Sequence, residues 1–304
     1  MPEADVSLLI GLYGPSGCGK TTVAELLAKR LGGEVVSADS AALYQGLEIL
    51  TAAPAAATHL VGVVPLSESV SVGEYQRRAH HAIDGILAAG RTPIVAGGTG
   101  LYLRAALSDL ALPPPPPPGV RERYERLYAE LGAESTHRLL AEADPAAAAA
   151  VHPNDRRRVV RALELAEQGA SLVPAEQRLW SSDTRHPTVI FGLDLPDERL
   201  RPRLEQRLAA MLEAGVVAEA AAAWRRPPGP TARRVLGLEQ FATLPPNEAV
   251  AATAAATLRL ARYQRKWLRR LPVVATLDAD RPAGEIADEI MVALAGARER
   301  LPRH

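Results

Sequence analysis

The sequence predicts an α/β protein: a P-loop NTPase-like parallel sheet with flanking helices and an inserted helical domain. Three observations carry this. Short apolar runs alternate with amphipathic stretches over the first hundred residues, and that alternation needs a parallel sheet covered by helices on both faces. The first run leads into "GLYGPSGCGKTT" at 11–22, where Gly14, four residues, then Gly19, Lys20 and Thr21 have the spacing of a phosphate-binding loop between strand and helix. Six consecutive prolines at 113–118, followed by Gly119, then separate this pattern from an Ala- and Arg-rich tract that reads as helical.

Taken in order, a strand over 6–12 enters the loop, and "TTVAELLAKRLGG" continues as an amphipathic helix stopped by Gly32 and Gly33. "GEVVSADS" is a second strand ending at Asp39, "VGEYQRRAHHAIDGILAAG" a helix, and "TPIVAGG" a further strand running into "GGTGLYLRAAL". The proline run is a stiff extended spacer, roughly 3 Å per residue, leading into a helical insert. A strand at 188–195, "TVIFGLDL", returns to the sheet, and the tail from 198 to 300 is helical except for a late strand, "PVVATLD". The expected division is 1–118 with 186–304 as the core domain and 119–185 as the insert.

The chain has 304 residues, 47% of them hydrophobic, and a formal net charge of +0, enough for a large domain plus a smaller one. That neutral sum hides an asymmetry. Residues 1–118 carry 7 Lys/Arg against 10 Asp/Glu, whereas 225–270 carry 10 against 2, which points to one face that meets a polyanion. The single cysteine, Cys18, excludes an internal disulfide and fits a reducing cytoplasm. No run approaches the roughly 20 apolar residues of a membrane span, so no membrane partner and a cytoplasmic location are expected.

The chemistry is expected at the C-terminal ends of the strands. Gly14, Pro15, Ser16, Gly17, Cys18, Gly19, Lys20 and Thr21 form an anion cradle: backbone N–H groups and the helix N-terminus hold phosphate, Lys20 adds a point charge, and the Thr21 hydroxyl can ligate Mg²⁺. Asp39 can serve as general base, and Thr99 in "GGTGLYL" offers a hydroxyl. After "TPIVAGG" there is no Asp or Glu of the kind an ATP-hydrolysing or phosphoryl-transferring loop protein uses to organise Mg²⁺ and water. In "TLRLARYQRKWLRR", Arg259, Arg262, Lys266 and Arg269 fall on one helix face and Leu260, Tyr263, Trp267 and Leu271 on another. Arg156, Arg157, Arg158 and Arg161 open another helix, where basic residues oppose the dipole and fit a phosphate partner better than helix stability.

Together, "GPSGCGKT", "SADSAALYQGLEI", "SVGEY", "GGTGLYLRAAL", "HPNDRRRVVRALE", "RRVLGLEQ" and "LARYQRKWLR" resemble, in this order over nearly the whole chain, the tRNA dimethylallyltransferase family, also called tRNA isopentenyltransferases. The resemblance implies transfer of a dimethylallyl group from dimethylallyl diphosphate to N6 of the adenosine 3′-adjacent to the anticodon, in tRNAs reading codons that start with U, with Mg²⁺ as cofactor and the anticodon stem-loop as partner of a monomer. It implies catalytic roles for Asp39, Thr99 and Lys20. It implies RNA contacts by Asp39, Ser40, Ala41, Ala42, Thr99, Arg121, Arg157, Arg158, Arg161, Arg234, Gly237, Arg262, Gln264, Lys266, Trp267 and Arg269. The sequence departs from the family pattern at Ala53, at Gly62, at Leu238 and at Tyr263, and its loop reads "SGCGKT". Rival readings are a small-molecule kinase, for which the loop would bind ATP, a transferase acting on free adenine nucleotides, and a catalytically silent RNA-binding protein.

Overall fold

The computed structural model describes residues 8–54, 56–173 and 178–298. It holds two compact units, Met1–Asp109 with Leu179–His304, and Leu110–Arg178.

The larger unit is built on a six-stranded, all-parallel sheet in the order β3-β2-β4-β1-β5-β6. Strand β1, Leu9–Tyr13, is buried along its whole length because β4, Pro93–Gly97, and β5, Thr188–Asp194, flank it. A central parallel strand covered on both faces reads as an unbroken apolar run, as "LIGLY" does. The expected start at Val6 and Ser7 lies outside the described residues. Helix α1, Lys20–Leu31, follows the loop and ends at Gly32, whose left-handed φ of 60° lets its N–H close on Ala28 O.

Strand β2, Glu34–Ser37, stops two residues short of the expected end at Asp39, because beyond Ser37 the chain turns across the end of β4. After the one-turn helix α2, Glu48–Thr51, the edge strand β3, Thr58–His59, pairs with β2. Helix α3, Val72–Ala88, starts at Ser71, whose hydroxyl accepts from Glu74 N at 3.1 Å. Helix α4, Gly100–Leu107, follows β4.

The smaller unit is helical: α5, Val120–Ala143, broken at Gly132; α6, Pro145–Ala150; and α7, Arg156–Ala166. Its core gathers Leu140, Ala147, Val151, Val159, Ala162 and Leu163. The proline run belongs to this unit, where Arg161 donates to Pro114 O at 2.6 Å. The insert, expected to be helical over 121–182, is helical only as far as Ala166 apart from a short turn at Arg178–Trp180, and residues 174–177 lie outside the described residues.

Back in the larger unit come α8, Asp197–Glu213; α9, Val216–Arg225; α10, Leu238–Thr243; α11, Pro246–Leu268; strand β6, Ala275–Asp278; and α12, Ala283–Arg298. The late strand is shorter than expected over 272–278, since only 275–278 lie alongside β5. The last residues of the helical tail, 299–300, lie outside the described residues. Among the described residues no helix is long and apolar enough to cross a membrane.

Candidate active site

Because β2, β4 and β1 are neighbours, the three loops that leave their C-terminal ends share one edge of the sheet. The loop after β1 is the phosphate-binding loop. Gly17 and Gly19 have φ of 87° and 90°, a region that favours glycine. A Cβ at Gly14 would sit 2.5 Å from Leu193 O and 2.9 Å from Cys18 Sγ, so that glycine lets the loop lie flat on β5. Cys18 is buried and its N–H turns back on Pro15 O. Among the described residues the N–H groups of Gly17, Gly19, Lys20 and Thr21 have no hydrogen-bond acceptor, and they converge on the N-terminus of α1. Lys20 Nζ reaches back to Pro15 O at 2.7 Å and Cys18 Sγ at 3.9 Å. Unpaired amides, a helix N-terminus and an ammonium make an arrangement suited to an anion.

The loops after β2 and β4 interlock. A Cβ at Gly97 would lie 2.2 Å from Ala38 O, and Thr99 N donates to Ala38 O. Thr99 Oγ1 accepts from Ser40 N at 3.2 Å and lies 3.3 Å from Ser40 Oγ. Asp39 is partly buried and its Oδ1 accepts from Ala41 N at 2.9 Å, an arrangement that fixes the carboxylate's orientation. The Asp39 charge is felt by the neighbouring phenols: Tyr102 is pushed up to about 12, by burial first and then by Tyr44 and Asp39. Tyr75, buried and donating to Ser37 O at 2.9 Å, is raised well above its usual value, by burial first and then by Tyr102 and Asp39.

The sequence reading missed Arg207. It sits on α8 at Leu204 plus three and Met211 minus four, on the stripe that packs inward, and that spacing was the available signal. Burial lowers its guanidinium below the usual value while Asp39 opposes the shift. Its one hydrogen bond among the described residues is to Thr51 O at 3.3 Å, so most of its donors are left for a ligand.

The expected RNA-facing residues divide into two groups. Arg157, Arg158, Arg234, Lys266 and Arg269 are exposed and form no ion pair among the described residues. Arg262 is exposed but bonded to Asp197 at 2.7 Å. The others are held by neighbours or turn inward, Arg121 being exposed along its side chain yet paired. Arg121 grips Glu164 with two hydrogen bonds of 2.7 and 3.0 Å, and Arg161 meets the same carboxylate at 3.0 Å. Gly237, with φ of 93°, caps α10, and a Cβ there would meet Leu50 Cδ1 at 2.8 Å. Ala42 is buried. Trp267 covers Gly100, where a Cβ would meet its ring at 2.3 Å, and leans on Trp180 with centroids 4.7 Å apart.

The expected apolar face of α11 is out of phase. Leu258, Ala261, Gln264 and Leu268 are buried, whereas Tyr263 is 57% exposed. Gln264 Oε1 accepts from Ser16 N at 2.8 Å, and its Nε2 donates to Gly98 O at 2.8 Å.

Metal binding by protein side chains alone finds no support, since no group of three or more His, Cys, Asp or Glu is gathered among the described residues. The donor set does suit Mg²⁺, which keeps waters and takes most of its remaining ligands from phosphate. Thr21 presents an exposed hydroxyl in the first turn of α1, beside the cradle.

The IPP transferase family model matches residues 42–271. The chain is 39% identical over 303 residues to a tRNA dimethylallyltransferase of Salinispora arenicola, covering 95% of this chain and 87% of that protein. It is 41% identical over 295 residues to one of Streptomyces coelicolor, covering 92% and 91%. Among solved structures it resembles the full-length tRNA isopentenylpyrophosphate transferase from Bacillus halodurans at 30% identity, covering 96% and 97% with a TM-score of 0.68. The same fold appears in a eukaryotic dimethylallyltransferase acting on tRNA, at 24% identity and a TM-score of 0.78, covering 98% and 82%.

Proposed function

The chain belongs to the IPP transferase family, and from that premise we propose that it is a tRNA dimethylallyltransferase. It transfers the dimethylallyl group of dimethylallyl diphosphate to N6 of the adenosine 3′-adjacent to the anticodon, in tRNAs reading codons that start with U. The observation that carries this reading is the interlock of the Asp39 and Thr99 turns beside a cradle of unpaired amides, with no acidic residue at the end of β4. A base and a leaving-group site stand on one sheet edge, and the carboxylate expected of a phosphoryl-transfer site is missing.

An adenine N6 amine is a weak nucleophile, so both ends of the displacement need help. The N6–C1 bond forms as the C1–O bond to the diphosphate breaks. Asp39 accepts the N6 proton, and Thr99, hydrogen-bonded to Ser40, orients the adenine beside it. The loop amides, Lys20 and Arg207 stabilise the departing pyrophosphate. Thr21 would hold Mg²⁺, which would supply further positive charge to the leaving group. The exposed cations Arg157, Arg158, Arg234, Lys266 and Arg269 meet RNA phosphates.

The test is incubation of the protein and Mg²⁺ with radiolabelled dimethylallyl diphosphate and unmodified anticodon stem-loops. Label should enter stem-loops of U-reading tRNAs, and Asp39→Ala should slow it by about 10²- to 10⁴-fold. Label on free adenylate instead of RNA, or phosphoryl transfer from ATP, would refute this function.

A further inference from the structure

The residue whose placement departs furthest from the expected RNA contacts is Gln264. It lies in the most basic tract of the chain, yet it is 4% exposed, and both ends of its amide are engaged by backbone. Oε1 accepts from Ser16 N at 2.8 Å in the phosphate loop; Nε2 donates to Gly98 O at 2.8 Å, one residue before Thr99, and lies 3.4 Å from Ser16 Oγ. The main chain of the same residue accepts from the Tyr13 hydroxyl at 3.2 Å, where β1 ends.

We propose that Gln264 is a positioning residue of the donor site, its side-chain amide locking the phosphate loop to the Thr99 turn, and that RNA does not touch it. This rests on the reading that the loop holds a diphosphate.

Three observations support it. First, the contact is closely fitted: a Cβ at Gly98 would lie 2.4 Å from Gln264 Nε2, so glycine at that position makes room for the amide. Second, only a side chain with an acceptor and a donor at this reach satisfies both loops. Glutamate would set an oxygen against Gly98 O, and asparagine is a methylene short. Third, the helix separates the two tasks. At about 100° per residue, Arg259, Arg262, Lys266 and Arg269 lie roughly 140° to 220° around α11 from Gln264. Those four cations are exposed, and the buried amide faces the donor loop.

The amide also fixes which loop donors serve the ligand. With Ser16 N bound to Gln264, the diphosphate is left the N–H groups of Gly17, Gly19, Lys20 and Thr21. The lock therefore sets the distance from the leaving group to the Thr99 and Asp39 turns.

The experiment compares full-length wild type with Gln264→Leu and Gln264→Glu. Binding of inorganic pyrophosphate is measured by calorimetry without RNA. Steady-state rates are measured with dimethylallyl diphosphate and stem-loop varied separately, and melting temperatures are recorded. Gln264→Met, nearer in length and volume, replaces the leucine variant where that one does not fold. Both variants should weaken pyrophosphate binding and raise the dimethylallyl diphosphate KM by roughly tenfold, and lower kcat/KM by up to about 100-fold, because a misplaced cradle also misplaces the reacting atoms. Stem-loop affinity should stay within about twofold of wild type.

Weaker stem-loop binding with unchanged diphosphate constants overturns the inference in favour of RNA contact. A lower melting temperature with unchanged KM and kcat overturns it in favour of a purely structural role. Wild type that binds neither pyrophosphate nor dimethylallyl diphosphate overturns the inference and the functional reading together. Wild type that transfers normally, with variants that match it, overturns the inference alone.

Discussion

Two helices, α7 and α11, carry the basic clusters of the chain, and they use their cations differently. In α7 and its neighbour α5, two arginines are drawn into holding one another's anion: Glu164 is 0% exposed and is met by Arg121 and Arg161. Arg156 is likewise bound to Glu125 at 2.6 Å, which leaves Arg157 and Arg158 without an ion pair among the described residues. In α11 the buried polar positions are neutral, Thr253 and the amide of Gln264, and Arg259, Arg262 and Lys266 stay outside. Arg262 and Arg265 are the ones with carboxylate partners, through Asp197 and Asp194. A buried carboxylate needs cations beside it to remain ionised, whereas a buried amide needs only backbone groups. Thus α7 consumes half of its basic cluster in its own packing, and α11 keeps most of its cluster for a partner.

The largest expected break of this contrast is on the α7 side. Arg121→Ala with Arg161→Ala would leave the Glu164 carboxylate buried without a cation, and should destabilise the smaller unit by about 3–5 kcal/mol in urea denaturation. Arg157→Ala with Arg158→Ala should move that denaturation curve by no more than about 0.5 kcal/mol. The same pair should lower stem-loop affinity and reduce the slope of log K against log salt by about two. If the first pair leaves stability intact, or the second pair lowers it, the division of α7 into inner and outer arginines is wrong.

Within α11 the contrast is finer. Lys266→Ala should cost more stem-loop affinity than Arg262→Ala, because the Arg262 charge is already shared with Asp197. The expected gap is about two- to fivefold, read from salt-dependent binding curves. Equal losses would show that the Asp197 pair opens when RNA docks.

The smallest effect concerns acid stability. Hydrogen bonds from Arg265 first, then Arg262, hold the Asp197 carboxyl below its usual range. A carboxyl depressed in the folded state stabilises fully above its unfolded value of about 3.9, and that contribution is lost as pH falls through the lower folded value. Asp197→Asn should therefore flatten the acid limb of the stability curve by about 0.5 kcal/mol while leaving the neighbouring Gln264 contacts in place. An unchanged acid limb would remove the Arg262 and Arg265 pairs from any account of stability.

Much of the larger unit was readable in advance because its signals are local. β1 and β4 are apolar runs bounded by glycine, and the phosphate loop has a fixed spacing. β3 was not legible: two residues, Thr58 and His59, have no periodicity and are strand only because β2 lies beside them. The phase of α11 was misjudged because alanines surround it. In "AATAAATLRLARYQRKWL" several stripes are apolar, and the one that packs includes an alanine and a glutamine. The cradle and the Asp39 and Thr99 positions were visible as motifs. Arg207, the pairing of Arg121 and Arg161 with Glu164, and the burial of Gln264 were not, because a basic tract displays its charges but not the partners that folding assigns to them.

The contact between Ser16 and Gln264 spans 248 residues. At roughly 5–20 residues per second, a ribosome takes about 12–50 s to make the second partner after the first. The phosphate loop is made long before the side chain that locks it. During that interval β1 also waits for β5, its neighbour on one side. Throughout that interval the nascent chain carries a glycine-rich anion loop that has its sequence but not its lock, and the loop is completed only as α11 is made.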